Sequence, residues 1–357
     1  MKALVATRDA FGMTFACPPG YLDTPSVGIP PLPAVDALLA AIGDWQVGAT
    51  VPARFDGSVD AARRAFAVLC GVPAPTVAIG GSVSELVGLT ASAAPDGARV
   101  LTAAGDFASV IFPFAAHARR GVTIDEVPVA DIPARAADYD YVAASAVQSR
   151  DGTVLDLEAL RDAVAGRGTR VILDVTHACG WLPLRLDWAD AVVGCGYKWL
   201  LSPRGVAWMA IRPDYAAGLT ATSAGWYGGE TPWDSLYGLP LRQAAGNRRF
   251  DTSPAWFCHL GAASVLPALA ATDPRERYAH CTGLANALRA ELGLPPSGSA
   301  IVSVAAPGVA EHLAAAGVRA SIRDGRARLG FFLYNNADDL DRAVSALAGK
   351  ISGKAAQ

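Results

Sequence analysis

Four short stretches place groups capable of chemistry immediately after apolar runs. The run DAVVGCGYKWLLSPRG delivers Lys198 between a glycine-punctuated turn and Trp199, Leu200 and Leu201. A lysine desolvated in such a setting has a depressed pKa and becomes a nucleophile toward an aldehyde, although a lone lysine more often snorkels past its neighbours to water. In VILDVTHACG an apolar run ends at Asp174, and His177 follows three residues later. A buried carboxylate there needs a partner, which a turn, a metal or a cationic ring nitrogen would supply. Metal ligation has little support, because the chain has no HExxH or CxxC pattern. The run TVAI is followed by Gly80, Gly81, Ser82, Val83 and Ser84 and then by a helical pattern. Glycines and a serine ahead of a helix make either an anion cradle or an ordinary helix cap. Phe107, in LTAAGDFASVIFPF, is either a core aromatic or a flat face on which a planar ring stacks.

If these runs are neighbouring strands of one sheet, the anion cradle, carboxylate, lysine and aromatic emerge together, since ligands of open α/β sheets collect at the carboxyl ends of the strands. Together they describe pyridoxal phosphate chemistry. The lysine forms the Schiff base, the carboxylate keeps the pyridine nitrogen protonated, and the helix start holds the phosphate.

The elements that must position these groups are legible as an alternation. Strand candidates are Thr76–Ile79, Arg99–Thr102, Thr123–Val127, Tyr141–Ala144, Val171–Asp174, Ala189–Val193 and 205–211, with helices expected around 83–93, 108–120 and 156–167. Val- and Ile-rich runs separated by helices predict an α/β fold with a mainly parallel seven-stranded sheet covered on both faces. Beyond residue 272 the pattern changes to a helix near 274–292, the breaker LPPSGSA, a strand at Ile301–Val304, a helix near 308–316, short runs at 318–323 and 326–333, and a last helix. That predicts a smaller C-terminal α+β domain over 273–357, a large domain over 34–272, and an N-terminal segment, 1–33, whose stretch PPGYLDTPSVGIPPLP is too rich in proline for regular helix.

Composition narrows the class. The 357 residues are 52% hydrophobic and 18% charged, which suits a folded chain with a sizeable core. A net charge of −3 with no basic stripe argues against nucleic acid and anionic membrane as partners. Six scattered cysteines and an opening MKALVATRDA without a signal-peptide core point to the cytoplasm. No early GxGxxG and no GxSxG elbow supports dehydrogenase or hydrolase chemistry.

From YLDTPSVG at residue 21 to LYNN at 333–336, and most specifically in DVTHACG followed by GYKWLLSPRG, the chain resembles the fold-type I pyridoxal-phosphate enzymes of the aminotransferase class V group. That group includes cysteine desulfurases, kynureninases and isopenicillin N epimerase-like proteins. The resemblance implies that Lys198 carries the cofactor, that Asp174 pairs with its ring nitrogen, and that His177 lies beside its phenolic oxygen. It also implies Ser82 and Val83 at the phosphate, Phe107 stacked on the ring, and Gln148, in SAVQSRDG, lining the cofactor or substrate site. RRFDTSP at 248–254 is similar to a segment in which a hydroxyl, here Ser253 or Thr252, reaches the partner subunit's phosphate, which implies a homodimer with shared active sites. Arg323, in SIRDG, matches the arginine that grips the substrate's α-carboxylate, while Arg328, Tyr334 and Asn335 read as structural.

Three departures bear on the reaction. Cys195 stands where relatives carry a phosphate-binding serine, so that contact passes to Tyr197, itself a replacement for the histidine of the desulfurases. The loop after Arg323 is short and lacks the cysteine that forms a persulfide in desulfurases. The resemblance therefore implies an enzyme acting at the α-carbon of an L-amino acid, with a β-eliminating lyase of C–S type first, an aminotransferase next, an epimerase third, and a catalytically silent binding homologue last. AGWYGGETPWDSLYG at 224–238 is expected to line the substrate pocket or pack against a dimer partner.

Overall fold

The computed structural model describes residues 7–350, so the first six and last seven residues of the terminal segments lie outside it. A hairpin of β1 (Arg8–Ala10) and β2 (Met13–Phe15) precedes the main sheet. That sheet contains β3 (Val77–Gly80), β4 (Arg99–Ala103), β5 (Thr123–Val127), β6 (Tyr141–Ser145), β7 (Arg170–Asp174), β8 (Ala191–Cys195) and β9 (Ala207–Ile211). They stand in the order β3-β9-β8-β7-β6-β4-β5. The strands β6 and β8 are buried at every position, as are the last four residues of β7. They read YVAAS, RVILD and AVVGC without polar alternation, as a sheet covered on both faces requires.

The sheet is parallel apart from β9, which runs against both β8 and β3. The connection from β8 to β9 is a compact turn with no crossover helix, so β9 can only return antiparallel. Because β3 opposes β9 in turn, the carboxyl ends of β3, β4, β6, β7 and β8 all open on one edge. The register pairs Asp174 with Val193, so the ends of β7 and β8 lie side by side.

Helices cover both faces, each with its own core. On one, helices Val83–Ser92 and Ala108–Ala115 pack against each other; on the other lie Asp56–Cys70, Trp256–Ala263 and Leu266–Ala271. The helix expected over 108–120 stops at Ala115 and resumes as a 3-10 turn at Ala118–Arg120. Pro113 removes a backbone donor in its middle, and Gly121 closes the turn at φ 79°. The helix at 156–167 is trimmed to Leu157–Val164, capped by Asp156 accepting from the Ala159 N–H at 2.9 Å. No helix among the described residues is long and apolar enough to cross a membrane.

The C-terminal part forms a second, antiparallel sheet of β10 (Ile301–Val304), β11 (Ser321–Arg323) and β12 (Arg326–Gly330), in the order β10-β12-β11. Helices Pro274–Glu291, Val309–Ala315 and Ala337–Leu347 cover it. The proline-rich stretch is extended and ties the two sheets together. Leu22 N–H donates to Arg319 O at 2.9 Å and Leu22 O accepts from Gly330 N–H at 2.8 Å, while Gly28 N–H donates to Tyr197 O at 2.9 Å, beside the lysine. Gly28 is so close to this turn that a β-carbon would sit 2.0 Å from Lys198 O.

Gly28→Ala is therefore expected to push the strap off the lysine turn and to cost about 1–3 kcal/mol, the usual range for overpacking. Denaturant unfolding of the two proteins measures this, and equal midpoints would refute the tight approach.

Candidate active site

Four strand ends build the site. After β8 the chain turns at Gly196 and Tyr197 and presents Lys198, which is only 6% exposed. Its Nζ lies 2.8 Å from His177 Nε2. His177 comes from the turn after β7, whose backbone is held by Ala178 and Cys179 N–H donating to Val175 O, and by Trp181 Nε1 donating to His177 O at 2.7 Å. Burial lowers the Lys198 pKa, with Asp174 and Cys195 pulling the other way and Arg328 and Arg323 adding to the depression. Burial likewise holds His177 well below its ordinary value.

Asp174 ends β7 and accepts the Thr176 N–H at 2.8 Å. No ion pair links it to a cation among the described residues. Burial raises its pKa to about 6, against the opposing hydrogen bonds of Thr176 and the charge of Lys198. The Thr176 hydroxyl also accepts the Cys195 N–H at 3.2 Å, joining the two strand ends.

After β3, Ser82 caps the helix Val83–Ser92 by accepting the Glu85 N–H at 3.3 Å, and Glu85 takes the Gly81 N–H at 2.8 Å. The ordinary-cap reading of this turn is thus correct. The first-turn N–H groups of a helix have no partner within it, so the same turn also faces an anion with free donors. Phe107 is not a core aromatic: it is 45% exposed, and its ring centroid lies 5.3 Å from Lys198 Nζ.

Two cavities meet at Lys198. One, of about 180 Å³, is lined by Ser82, Val83, Phe107, Asp174, His177 and Tyr197, together with Cys195, Thr176 and Arg204. The other, of about 460 Å³, is lined by the apolar strap from Pro25 to Pro30 and by Arg204, Arg323 and Arg328, with no acidic residue. Phe107, Tyr197, Lys198 and Arg204 belong to both. The smaller cavity thus offers a helix N-terminus at one wall, a carboxylate without a cation partner at another, a flat aromatic and a primary amine. That donor set fits a planar pyridinium carrying a phosphate and an aldehyde.

Gln148 of the expected set lines neither cavity, and Ser253, expected at the partner subunit's phosphate, lines a different one. Gln148 is buried, and its amide donates to Asp106 at 3.2 Å and to Ser145 O at 3.4 Å, away from both cavity walls. Ser253 lies with Thr252 and Gly81 at a separate cavity of about 300 Å³. The segment 224–238 lines neither cavity. It docks instead on the helix Asp56–Cys70, where Tyr227 and Trp233 donate to Asp56 at 3.0 and 2.8 Å.

Three residues gain weight that the sequence did not give them. Arg328, read as structural, is 1% exposed, donates to Ser26, Ser149 and Ser321, and makes no ion pair among the described residues. Burial lowers its pKa to about 10. An arginine in the apolar strand RARLGFFL was the available signal. Arg204 projects over the Tyr197 ring at 5.2 Å. Thr176 is visible in the sequence only as a hydroxyl two residues past a strand-end carboxylate.

No family model matches the chain. It is 28% identical over 315 residues to an uncharacterized aminotransferase, YcbU, of Bacillus subtilis, covering 81% of this chain and 83% of that one. It is 27% identical over 252 residues to a kynureninase of Deinococcus radiodurans, covering 64% and 60%. To isopenicillin N epimerase of Streptomyces clavuligerus it is 27% identical over 184 residues, 46% of each chain. Among solved structures, the cystine C-S lyase C-DES superposes with a TM-score of 0.82 at 22% identity, covering 94% of this chain and 98% of that one. A cysteine desulfurase from Thermococcus onnurineus gives 0.79 at 16%, covering 92% and 94%. The fold and its relatives define a pyridoxal-phosphate-dependent enzyme that acts on amino acids. The relatives it matches are aminotransferase-like, kynureninase and epimerase enzymes, and the chain is similar to that class V group.

The raised pKa of Asp174 has a stability consequence in protein stripped of cofactor. A carboxyl whose folded pKa lies above its unfolded value stabilises fully below the unfolded pKa, and that stabilisation is lost as pH rises through about 6. Asp174→Asn should therefore stabilise the stripped protein at pH 7 by up to about 2–3 kcal/mol and have no such effect near pH 4. Thermal unfolding at the two pH values tests this; a gain of equal size at both would contradict it.

Proposed function

We propose that the protein is a β-eliminating lyase acting on an L-amino acid with a leaving group, of the C–S type, on Cβ. The observation that carries the reading is a buried amine, Lys198, in one cavity with an ion-pair-free carboxylate, Asp174, on the neighbouring parallel strand end. When bound, pyridoxal phosphate supplies an aldehyde for the amino group and a ring that accepts the electrons released at Cα.

The chain's own residues have separate tasks. Asp174 keeps a proton on the ring nitrogen, and the turn Ser82–Ser84 with Arg204 and Tyr197 holds the phosphate by N–H dipoles, charge and hydroxyl. Phe107, in the wall of the same cavity, would cover one face of the ring. Arg328 rather than the more exposed Arg323 grips the α-carboxylate, because a buried guanidinium without an acidic partner binds an anion at low desolvation cost, with Arg323 alongside it. Lys198, as a free amine, would take the proton from Cα, and the group on Cβ would leave with its bonding electrons.

The hairpin between β11 and β12 is only Asp324 and Gly325, and no cysteine lines the larger cavity. Departing sulfur therefore leaves as a small product rather than on a protein thiol. Aminotransfer is the second reading, favoured by the relative named as an aminotransferase. The experiment is incubation of the yellow holoenzyme with a panel of L-amino acids. Ammonia and a keto acid without an added acceptor are expected, whereas strict dependence on a keto-acid acceptor would replace the lyase by the aminotransferase. In the same assay Arg328→Gln should lower kcat/KM by roughly 10–100-fold, the worth of a hydrogen bond to a charged group; Arg323→Gln should cost less, and the reverse order would return the anchor to Arg323.

We further propose a cytoplasmic homodimer. Six cysteines free of disulfides suit a reducing compartment. Tyr237 and Leu239, each 91% exposed, and Leu241 at 59% present apolar surface. Sedimentation at micromolar concentration should give twice the chain mass, and Tyr237→Glu with Leu239→Glu should shift it toward the monomer; a monomeric holoenzyme with full activity would refute shared sites.

A further inference from the structure

The residue that follows the lysine has a task of its own. Trp199 is fully buried between the rings of Trp181 and Phe332, and its indole nitrogen lies 3.3 Å from His177 Nδ1. An indole N–H only donates, so Nδ1 must be the bare nitrogen of the imidazole. Burial and the guanidinium charges of Arg328 and Arg323 disfavour a charged imidazole, so the His177 ring is neutral, with its single proton on Nε2. That nitrogen is 2.8 Å from Lys198 Nζ. The imidazole is thus the donor and Nζ the acceptor, which an ammonium, having no lone pair, cannot be.

We propose that Trp199 is a positioning residue. By fixing the tautomer of His177 it holds Lys198 as the free amine, the form able to capture an aldehyde.

The other groups around Nζ do not decide the matter. Asp174 from the end of β7 and Cys195 from β8 favour the charged amine, as do the ring faces of Phe107 and Tyr197 at 5.3 and 5.7 Å. Arg323 and Arg328, from β11 and β12, oppose it, as does burial. His177 alone among the described residues hydrogen-bonds Nζ. Without the indole N–H, the imidazole is free to carry its proton on Nδ1 and to accept from an ammonium at Nε2. One donor therefore selects between two protonation patterns of the pair.

The inference rests on the cofactor reading above, and its test separates the two. Protein stripped of cofactor is mixed with pyridoxal phosphate across pH 5.5–10, reduced with borohydride, and the modified Lys198 peptide is quantified. Trp199→Phe keeps an aromatic ring and removes only the donor. Its capture midpoint should move up by about one pH unit, which slows capture at neutral pH roughly tenfold and leaves it equal to wild type near pH 10. An unchanged profile, or slowing by the same factor at every pH, overturns the proposal. The wild-type protein labelled with ¹⁵N-histidine supplies a second readout that needs no folded Trp199 variant. His177, assigned by its loss in His177→Gln, should show a bare Nδ1 and a protonated Nε2, and the opposite tautomer overturns the proposal. Wild-type protein that captures nothing at Lys198 at any pH would sink the cofactor reading, while the ring-nitrogen spectrum would still decide the tautomer.

Discussion

A primary amine enclosed by protein must lose its charge or find a partner for it, and the architecture around Lys198 is arranged about that constraint. The amine hydrogen-bonds one imidazole, and the nearest carboxylate, Asp174, makes no ion pair with it. Trp199, Trp181 and Phe332 close off water beneath, and Gly28 of the strap lies against the Lys198 carbonyl from the other side. The apolar neighbours that make the stretch GYKWLL look odd for a lysine are the burial that lowers the pKa of its amine.

Sheet topology brings the other groups to the same place. Because β7 and β8 are parallel neighbours, Asp174 and the lysine turn leave the sheet side by side, and β3 and β4 add the capped helix start and Phe107 at the same edge. The antiparallel β9 costs nothing here, since it contributes no group to that edge. Arg323 and Arg328 come instead from the second sheet, so the larger cavity exists only where the two sheets and the strap meet. Its charge is one-sided, with three guanidiniums and no acid, as a site for a carboxylate requires.

Much of the fold was legible, for a physical reason. A doubly covered sheet needs unbroken apolar strands, and runs such as VILD and AVVG are too short and too rich in Val and Ile to be anything else. Thr123–Val127 and Ile301–Val304 coincide with the observed strands to the residue. The misjudged boundary at 108–120 had its cause in the chain as well, at Pro113. The helix Leu32–Gln46 was less visible, because an alanine-rich segment with few buried positions carries a weak periodic signal.

The sequence by itself determined which residues are chemically able: Lys198, Asp174, His177, a capped glycine turn and an aromatic, each at the end of a strand whose apolar character is local. Distances and partners were decided by tertiary structure, since they depend on segments far apart in the chain. Whether Phe107 is core or cavity wall depends on a lysine 91 residues away. Gln148 turns to Asp106, and Arg328 becomes a buried cation without an acid, through contacts that no spacing encodes. The tautomer of His177 depends on an indole 22 residues along, brought to 3.3 Å by the pairing of two strands.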